Sequence, residues 1–175
     1  MARPILIMCH GQGRRFAGDG LPHLHGLPAT KQFIPIADGP EAESIIGRTI
    51  RLAAKYGEVS VWAPLHEPWT SLPAQVWSVA RPGASLVGSL RASYPLWCRG
   101  ATILLGDVVF SHRLLERMHL VQSIWPLVFG RHGENTWTGK RYGELYALVL
   151  PNLDAAAYLK ENLPLQINFT YSRRG

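Results

Sequence analysis

Strand-like and helix-like patterns alternate along this chain of 175 residues, which predicts an α/β layer fold with a mostly parallel central sheet. The strand-like segments are short, continuous apolar runs, and such runs are typical of strands buried on both faces. The length suits one domain with a sizeable core. We therefore treat residues 1–175 as a single domain, since no internal repeat or low-complexity tract divides the sequence.

The first predicted strand, residues 4–9, runs directly into the glycine-rich sequence His-Gly-Gln-Gly. Residues 11–30 contain five glycines and two prolines and lack periodicity, which predicts a loop of about twenty residues. Loops of this length in compact domains are usually functional or mobile. A short extended piece is expected at residues 33–36, because Ile34 precedes a proline.

The first predicted helix begins near residues 38–41 and ends at Gly57. Ile46 and Ile50 repeat at helical spacing on its apolar side, and Arg48 falls on the opposite, polar side. The later predicted elements are, in chain order, strands at residues 58–63 and 75–80, a helix at 85–97, a strand at 102–105, a helix at 111–118, strands at 127–130 and 145–150, and a helix at 154–161.

Composition and charge limit the classes of function. The net charge of +6 favours an anionic partner, but it does not distinguish a nucleotide, a nucleic acid or an acidic lipid surface. Cys9 and Cys98 cannot form a disulfide framework, so reduced thiols and a cytoplasmic location are expected. Since no signal peptide or bilayer-spanning segment is visible, we expect a soluble protein with no membrane partner.

The glycine-rich loop does not match the two commonest phosphate-binding motifs. The Walker A sequence GxxxxGK[ST] does not occur in the chain. The dinucleotide fingerprint GxGxxG is also excluded, because Phe16 stands where its third glycine is required.

A third kind of phosphate-binding loop agrees better with the sequence. The segment ILIMCHGQGRRF, followed later by TKQFIPI, resembles the signature of nucleotidyltransferases that activate sugars or small alcohols with a nucleoside triphosphate. The resemblance implies a Rossmann-like, three-layer α/β/α fold of the nucleotide-diphospho-sugar transferase type. It makes residues 18–27 an insertion in the loop, and it leaves Thr30 where the family usually has proline.

The resemblance also implies roles for the residues of the loop. Gly11, Gln12 and Gly13 would bind the nucleotide, since small residues let backbone N–H groups approach phosphates. Arg15 and Lys31 would act as the catalytic cations, neutralising charge that develops on the α- and β-phosphates.

Three further matches follow along the chain. ILLGDVVF resembles the second signature of the family, in which the aspartate, here Asp107, binds magnesium. Ser85 and Ser89 resemble the helix start that contacts the nucleotide. Glu144 resembles the glutamate that meets the acceptor.

The implied activity is Mg²⁺-dependent transfer of a nucleoside monophosphate from an NTP to a sugar phosphate or a similar small phosphorylated acceptor, with release of pyrophosphate. Two alternatives stay open: a catalytically inactive nucleotide- or nucleotide-sugar-binding protein of the same fold, and a basic nucleic-acid-binding module. Scattered basic residues disfavour nucleic acid as a partner. Segments rich in proline and tryptophan around residues 62–77 and 125–137 leave two interpretations open, a homodimer surface or a pocket for the acceptor.

Overall fold

The structure is a computed structural model that describes residues 2–9, 31–36, 42–65, 67–78, 86–131 and 144–163. In chain order its elements are β1 (Ile5–Met8), a 3₁₀ turn (Lys31–Phe33), α1 (Ile45–Ala53), β2 (Val59–Trp62), a second 3₁₀ turn (Trp69–Ser71), β3 (Gln75–Trp77), α2 (Leu86–Ala92), α3 (Tyr94–Trp97), β4 (Ala101–Leu105), α4 (His112–Leu120), β5 (Leu127–Arg131), β6 (Glu144–Leu150) and α5 (Leu153–Asn162).

The strands of the described residues form one six-stranded sheet in the order β3-β2-β1-β4-β6-β5. Strands β3, β2, β1 and β4 are parallel to one another, and β6 is antiparallel to both of its neighbours. Strand β5 therefore runs in the same direction as β4, and β6 is the one reversed strand in this set. The predicted mostly parallel sheet is confirmed.

Helices cover both faces of the sheet, which confirms the three-layer α/β/α arrangement. Ile5 and Ile7 of β1 point to one face, where the core cluster also contains buried residues of α1 and α4. Leu6 and Met8 point to the other face, where the cluster contains buried residues of α2 and the α3 residue Trp97. Because successive side chains of a strand alternate between faces, the apolar run of β1 contributes to both halves of the core.

Helix α1 begins later than the sequence predicted, at Ile45 instead of residues 38–41. Ser44 has extended backbone angles and its hydroxyl accepts a hydrogen bond from the Gly47 N–H, which is the geometry of an N-cap. Glu43 lies outside the helix because its carbonyl accepts from the Ile36 N–H, 3.0 Å away. The predicted start at residues 38–41 lies outside the described residues, and residues 42–44, which are described, precede the helix.

The predicted end of α1 at Gly57 was also wrong, since the helix ends at Ala53. A Cβ atom at position 57 would collide with the Arg3 carbonyl. The glycine therefore allows the chain to pass close to the segment before β1, a role that cannot be told from a helix stop in the sequence.

The predicted extended piece at residues 33–36 is correct only in its second half. Phe33 belongs to the 3₁₀ turn Lys31–Phe33, whereas Pro35 forms an antiparallel bridge with Ser44. The restriction that proline places on Ile34 applies to one residue, and it leaves the preceding turn free to form.

The single helix predicted at residues 85–97 is divided into α2 and α3 at Ser93. Pro95 has no N–H to donate to residue 91 and its ring crowds that carbonyl, so a continuous helix is unfavourable there. The Ser93 hydroxyl donates to the Leu90 carbonyl at the break, over 3.1 Å. Within the described residues, no helix is both long and apolar enough to cross a membrane.

Candidate active site

The carboxyl ends of β1 and β4 lie side by side, and this is where the candidate site is built. Met8 pairs with Leu105 in the parallel register, and the Gly106 N–H donates to the Met8 carbonyl over 3.0 Å. A Cβ atom at position 106 would overlap the Cys9 sulfur, so glycine permits the close approach of the two strand ends. Cys9, the last described residue after β1, thus lies beside the residues that follow β4, and the loop predicted to hold the nucleotide comes next in the sequence.

Asp107 is exposed in the turn that follows β4. Burial raises the pKa of the Cys9 thiol, and the negative charge of Asp107 raises this pKa further. The carboxylate therefore lies near the point where the chain leaves β1. In open α/β sheets, ligands bind just outside the carboxyl ends of the strands, and Asp107 occupies such a position.

The state of Cys9 leads to a prediction about thiol reactivity. Cys9 is buried and its thiolate is disfavoured, whereas Cys98 is partly exposed. We expect iodoacetamide at pH 8 to modify Cys98 in the native protein and Cys9 only after unfolding. Intact mass and peptide mapping would measure this, and modification of native Cys9 as fast as Cys98 would contradict the packing of β1 against Gly106.

Lys31 lies at the same edge of the sheet, close to the start of α1. Its carbonyl accepts from the Ile34 N–H, and the Ile34 carbonyl in turn accepts from the Ile45 N–H over 3.1 Å. Because α1 connects the parallel strands β1 and β2, its first turn lies at the edge where β1 ends. Phe33 anchors the turn by an edge-to-face ring contact with Trp69, with centroids 4.8 Å apart.

Arg48 links α1 to the segment that follows Asp107. Its guanidinium donates to the Phe110 carbonyl at 2.5 Å, although the sequence placed Arg48 on the polar side of the helix with no such partner. The sequence pattern correctly placed Arg48 away from the buried side of α1. Its contact with Phe110 spans sixty-two positions of sequence, so no local pattern could reveal it. Arg48 therefore helps to hold the Asp107 turn against α1.

Glu144 reaches this edge because β6 is reversed. Leu104 pairs with Ala147, so the start of β6, where Glu144 stands, lies toward the end of the sheet at which β4 finishes. Glu144 forms an ion pair with Arg131, with 3.4 Å between Nη2 and Oε2. Both side chains are partly buried, with exposed fractions of 25% and 19%. The sequence did not indicate this partner, because the pair depends on the antiparallel register of β5 and β6.

Ser89 is found on the buried side of α2, with an exposed fraction of 4%. Val87 and Leu90 share that side, so the Ser89 hydroxyl lies among core residues. Its predicted contact with a nucleotide stays a prediction. The other predicted nucleotide-binding and catalytic residues, Gly11, Gln12, Gly13, Arg15 and Ser85, lie outside the described residues, as does the insertion at 18–27.

Asp107 meets part of what a magnesium ion requires of a protein site. Proteins usually hold Mg²⁺ through one or two carboxylates together with substrate phosphates and water. The exposed carboxylate of Asp107 fits the first part of that requirement. The described residues contain no group of three or more His, Cys, Asp or Glu that could hold a metal by themselves.

Comparisons with known proteins identify the fold. No model of a protein family matches the chain, and no curated protein matches it. A solved nucleotidyl transferase from Methanothermobacter thermautotroptrophicus is 20% identical with a TM-score of 0.59, covering 94% of this chain and 76% of that one. A protein assigned as a glucose-1-phosphate thymidylyltransferase from Bacillus anthracis, solved with sucrose, is 13% identical with a TM-score of 0.58. The match covers 92% of this chain and 76% of that one.

A third solved structure, 4-diphosphocytidyl-2C-methyl-D-erythritol synthase, is 11% identical with a TM-score of 0.56, and the match covers 93% of this chain and 79% of that one. At these identities the similarity establishes the fold alone. The chain has the fold of these nucleotidyltransferases, and the α/β class predicted from the sequence is confirmed.

Proposed function

We propose that this protein transfers a nucleoside monophosphate from an NTP to a small phosphorylated acceptor such as a sugar phosphate. The observation that supports this most directly is the position of Asp107. Its exposed carboxylate follows β4 beside the end of β1, where the glycine-rich loop begins, in a chain with a nucleotidyltransferase fold.

The chemistry requires no nucleophilic side chain. An oxygen of the acceptor phosphate, already anionic, forms a bond to the α-phosphorus in line with the leaving group. The bond from that phosphorus to the oxygen bridging the β-phosphate breaks, and its electron pair leaves with pyrophosphate. Arg15 would stabilise the charge that accumulates on pyrophosphate, and Lys31 would stabilise charge on the transferred group.

Asp107 would hold a magnesium ion, which when bound would supply positive charge to the phosphate oxygens. Gly11, Gln12 and Gly13 would offer backbone N–H groups to the triphosphate, and Ser85 would contact the nucleoside. Ser89, which lies among core residues in this structure, is left out of the proposed contact. Glu144 would accept hydrogen bonds from hydroxyl groups of the acceptor. The ion pair with Arg131 would fix the orientation of the Glu144 carboxylate while it does so.

The test has two readouts on the wild-type protein. Thermal unfolding is measured with each of the four common NTPs, with and without Mg²⁺, and pyrophosphate release is then followed with a panel of sugar phosphates. At a nucleotide concentration one hundred times Kd, binding would add about 2.7 kcal/mol of stability. That corresponds to a rise in Tm of roughly 5–11 °C for a protein of this size.

We expect one NTP to stabilise the protein in the presence of Mg²⁺ and to release pyrophosphate with at least one acceptor. Stabilisation by an NTP without turnover on any acceptor would identify the inactive nucleotide-binding alternative instead. The absence of stabilisation by every NTP would contradict both.

A further inference from the structure

A groove with a volume of about 270 Å³ lies on the outer side of α4. Within the described part of the chain it is lined by Ser111, Arg113, Leu114 and Arg117, and we call it the α4 groove. Ligand sites for drug-sized molecules usually measure roughly 300–1,000 Å³, so the α4 groove suits a smaller compound. None of the residues assigned to the candidate active site lines it.

Two arginines give the α4 groove a concentrated positive charge. Arg113 and Arg117 are four residues apart on one helix, so their side chains start on the same side of α4. Neither forms an ion pair with any residue that the structure describes. By contrast, Arg51 of α1 donates two hydrogen bonds to the Glu43 carboxylate.

The acidic residue of α4, Glu116, does not line the α4 groove, and in the described part of the chain it forms no ion pair with either arginine. Desolvation raises the pKa of Tyr56, and the negative charge of Glu116 raises it further, so Glu116 lies on the part of α4 near Tyr56. His112 faces the same way, because its Nε2 lies 3.0 Å from the Tyr56 hydroxyl oxygen. The residues that line the α4 groove therefore carry two positive charges and no carboxylate.

The position of Arg113 is unfavourable for the helix by itself, whereas Arg117 stands in the last turn, where a cation is favourable. Like charges four residues apart destabilise a helix, and a cation in the first turn opposes the positive end of the helix dipole, where Arg113 stands. An anion bound between the two arginines would remove both penalties. Violations of local rules of this kind tend to mark functional positions.

We infer that the α4 groove binds a small phosphate-bearing molecule, distinct from the nucleotide proposed for the strand edge. The two guanidinium groups match a phosphate, since each presents several N–H donors in a planar fork. The partly buried side chain of Leu114 offers an apolar contact to the remainder of the molecule. The volume of about 270 Å³ favours a compact remainder such as a sugar.

The test is a titration of the full-length protein, labelled with ¹⁵N, with sodium phosphate and then glucose 6-phosphate, at an ionic strength kept constant with sodium chloride. We expect saturable chemical-shift changes at the amides of Arg113 and Leu114. The double variant Arg113→Ala/Arg117→Ala is expected to weaken the affinity at least tenfold. Arg99→Ala is the matched control, because Arg99 is also exposed but does not line the α4 groove.

The result distinguishes this inference from the proposed function. Asp107→Asn should leave phosphate binding at the α4 groove unchanged even if it abolishes nucleotide transfer. Equal weakening in Arg99→Ala would show a general charge effect and overturn the inference. The absence of saturable shifts at Arg113 and Leu114, or binding retained by the double variant, would also overturn it.

Discussion

Replacement of Asp107 by asparagine is expected to reduce pyrophosphate formation by at least about 100-fold. The amide keeps the size of the side chain but removes the negative charge that would hold the metal ion. Losing one electrostatic contact of this kind at a reacting group commonly reduces kcat by about 10²–10³. Initial rates of pyrophosphate release at saturating NTP and acceptor would measure the loss.

Two controls separate the role of Asp107 from an effect on folding. Because Asp107 is exposed, its replacement should change the free energy of unfolding by no more than about 0.5 kcal/mol. Asp154→Asn is the matched variant, since Asp154 is exposed in the first turn of α5 and follows the opposite end of the sheet. Equal activity of Asp107→Asn and Asp154→Asn would argue against metal binding at Asp107.

Replacement of Trp97 by alanine is expected to destabilise the fold by about 3–5 kcal/mol, the range for large aromatic residues in a core. Trp97 is fully buried, with an exposed fraction of 0%, and packs with residues of β1, β4 and α2. Its Nε1 donates to the Leu90 carbonyl over 2.9 Å and to the Ser93 hydroxyl over 3.2 Å. The variant would lose both the packing and one of the two side-chain donors to the Leu90 carbonyl, the other being the Ser93 hydroxyl.

Thermal unfolding should show a decrease in Tm of roughly 6–20 °C for Trp97→Ala. Trp125→Ala is the control of equal size, because Trp125 has an exposed fraction of 61% and should cost little. Trp97→Phe should lie between them, since phenylalanine keeps most of the apolar contact but cannot donate a hydrogen bond. Similar Tm values for Trp97→Ala and Trp125→Ala would contradict the assignment of Trp97 to the core.

The order of elements was predictable because each strand and helix has a local signal. The apolar run of β1 and the helical spacing of Ile46 and Ile50 report burial directly. Boundaries were less predictable, because they depend on contacts with distant segments. Ser44 could have been recognised as a possible cap residue, but its selection depends on the bridge between Pro35 and Ser44.

In the candidate site, too, features with a local sequence signal were predictable, and features that depend on distant contacts were not. Asp107 was predictable because a charged residue after a buried strand marks the edge where ligands bind. The pair between Arg131 and Glu144 was not, since nothing in the sequence fixes the register between β5 and β6. The Arg48 contact with Phe110 depends in the same way on how α1 packs against the chain after β4.

The reversal of β6 affects how readily this protein could change its substrate during evolution. Strand β5 ends at Arg131 and β6 starts at Glu144, so both residues lie at the edge where β1 and β4 end. The twelve positions between them are therefore attached at both ends beside the candidate site. Insertions and substitutions in that stretch could alter acceptor choice while the sheet, whose register is set by residues 144–150, stays intact.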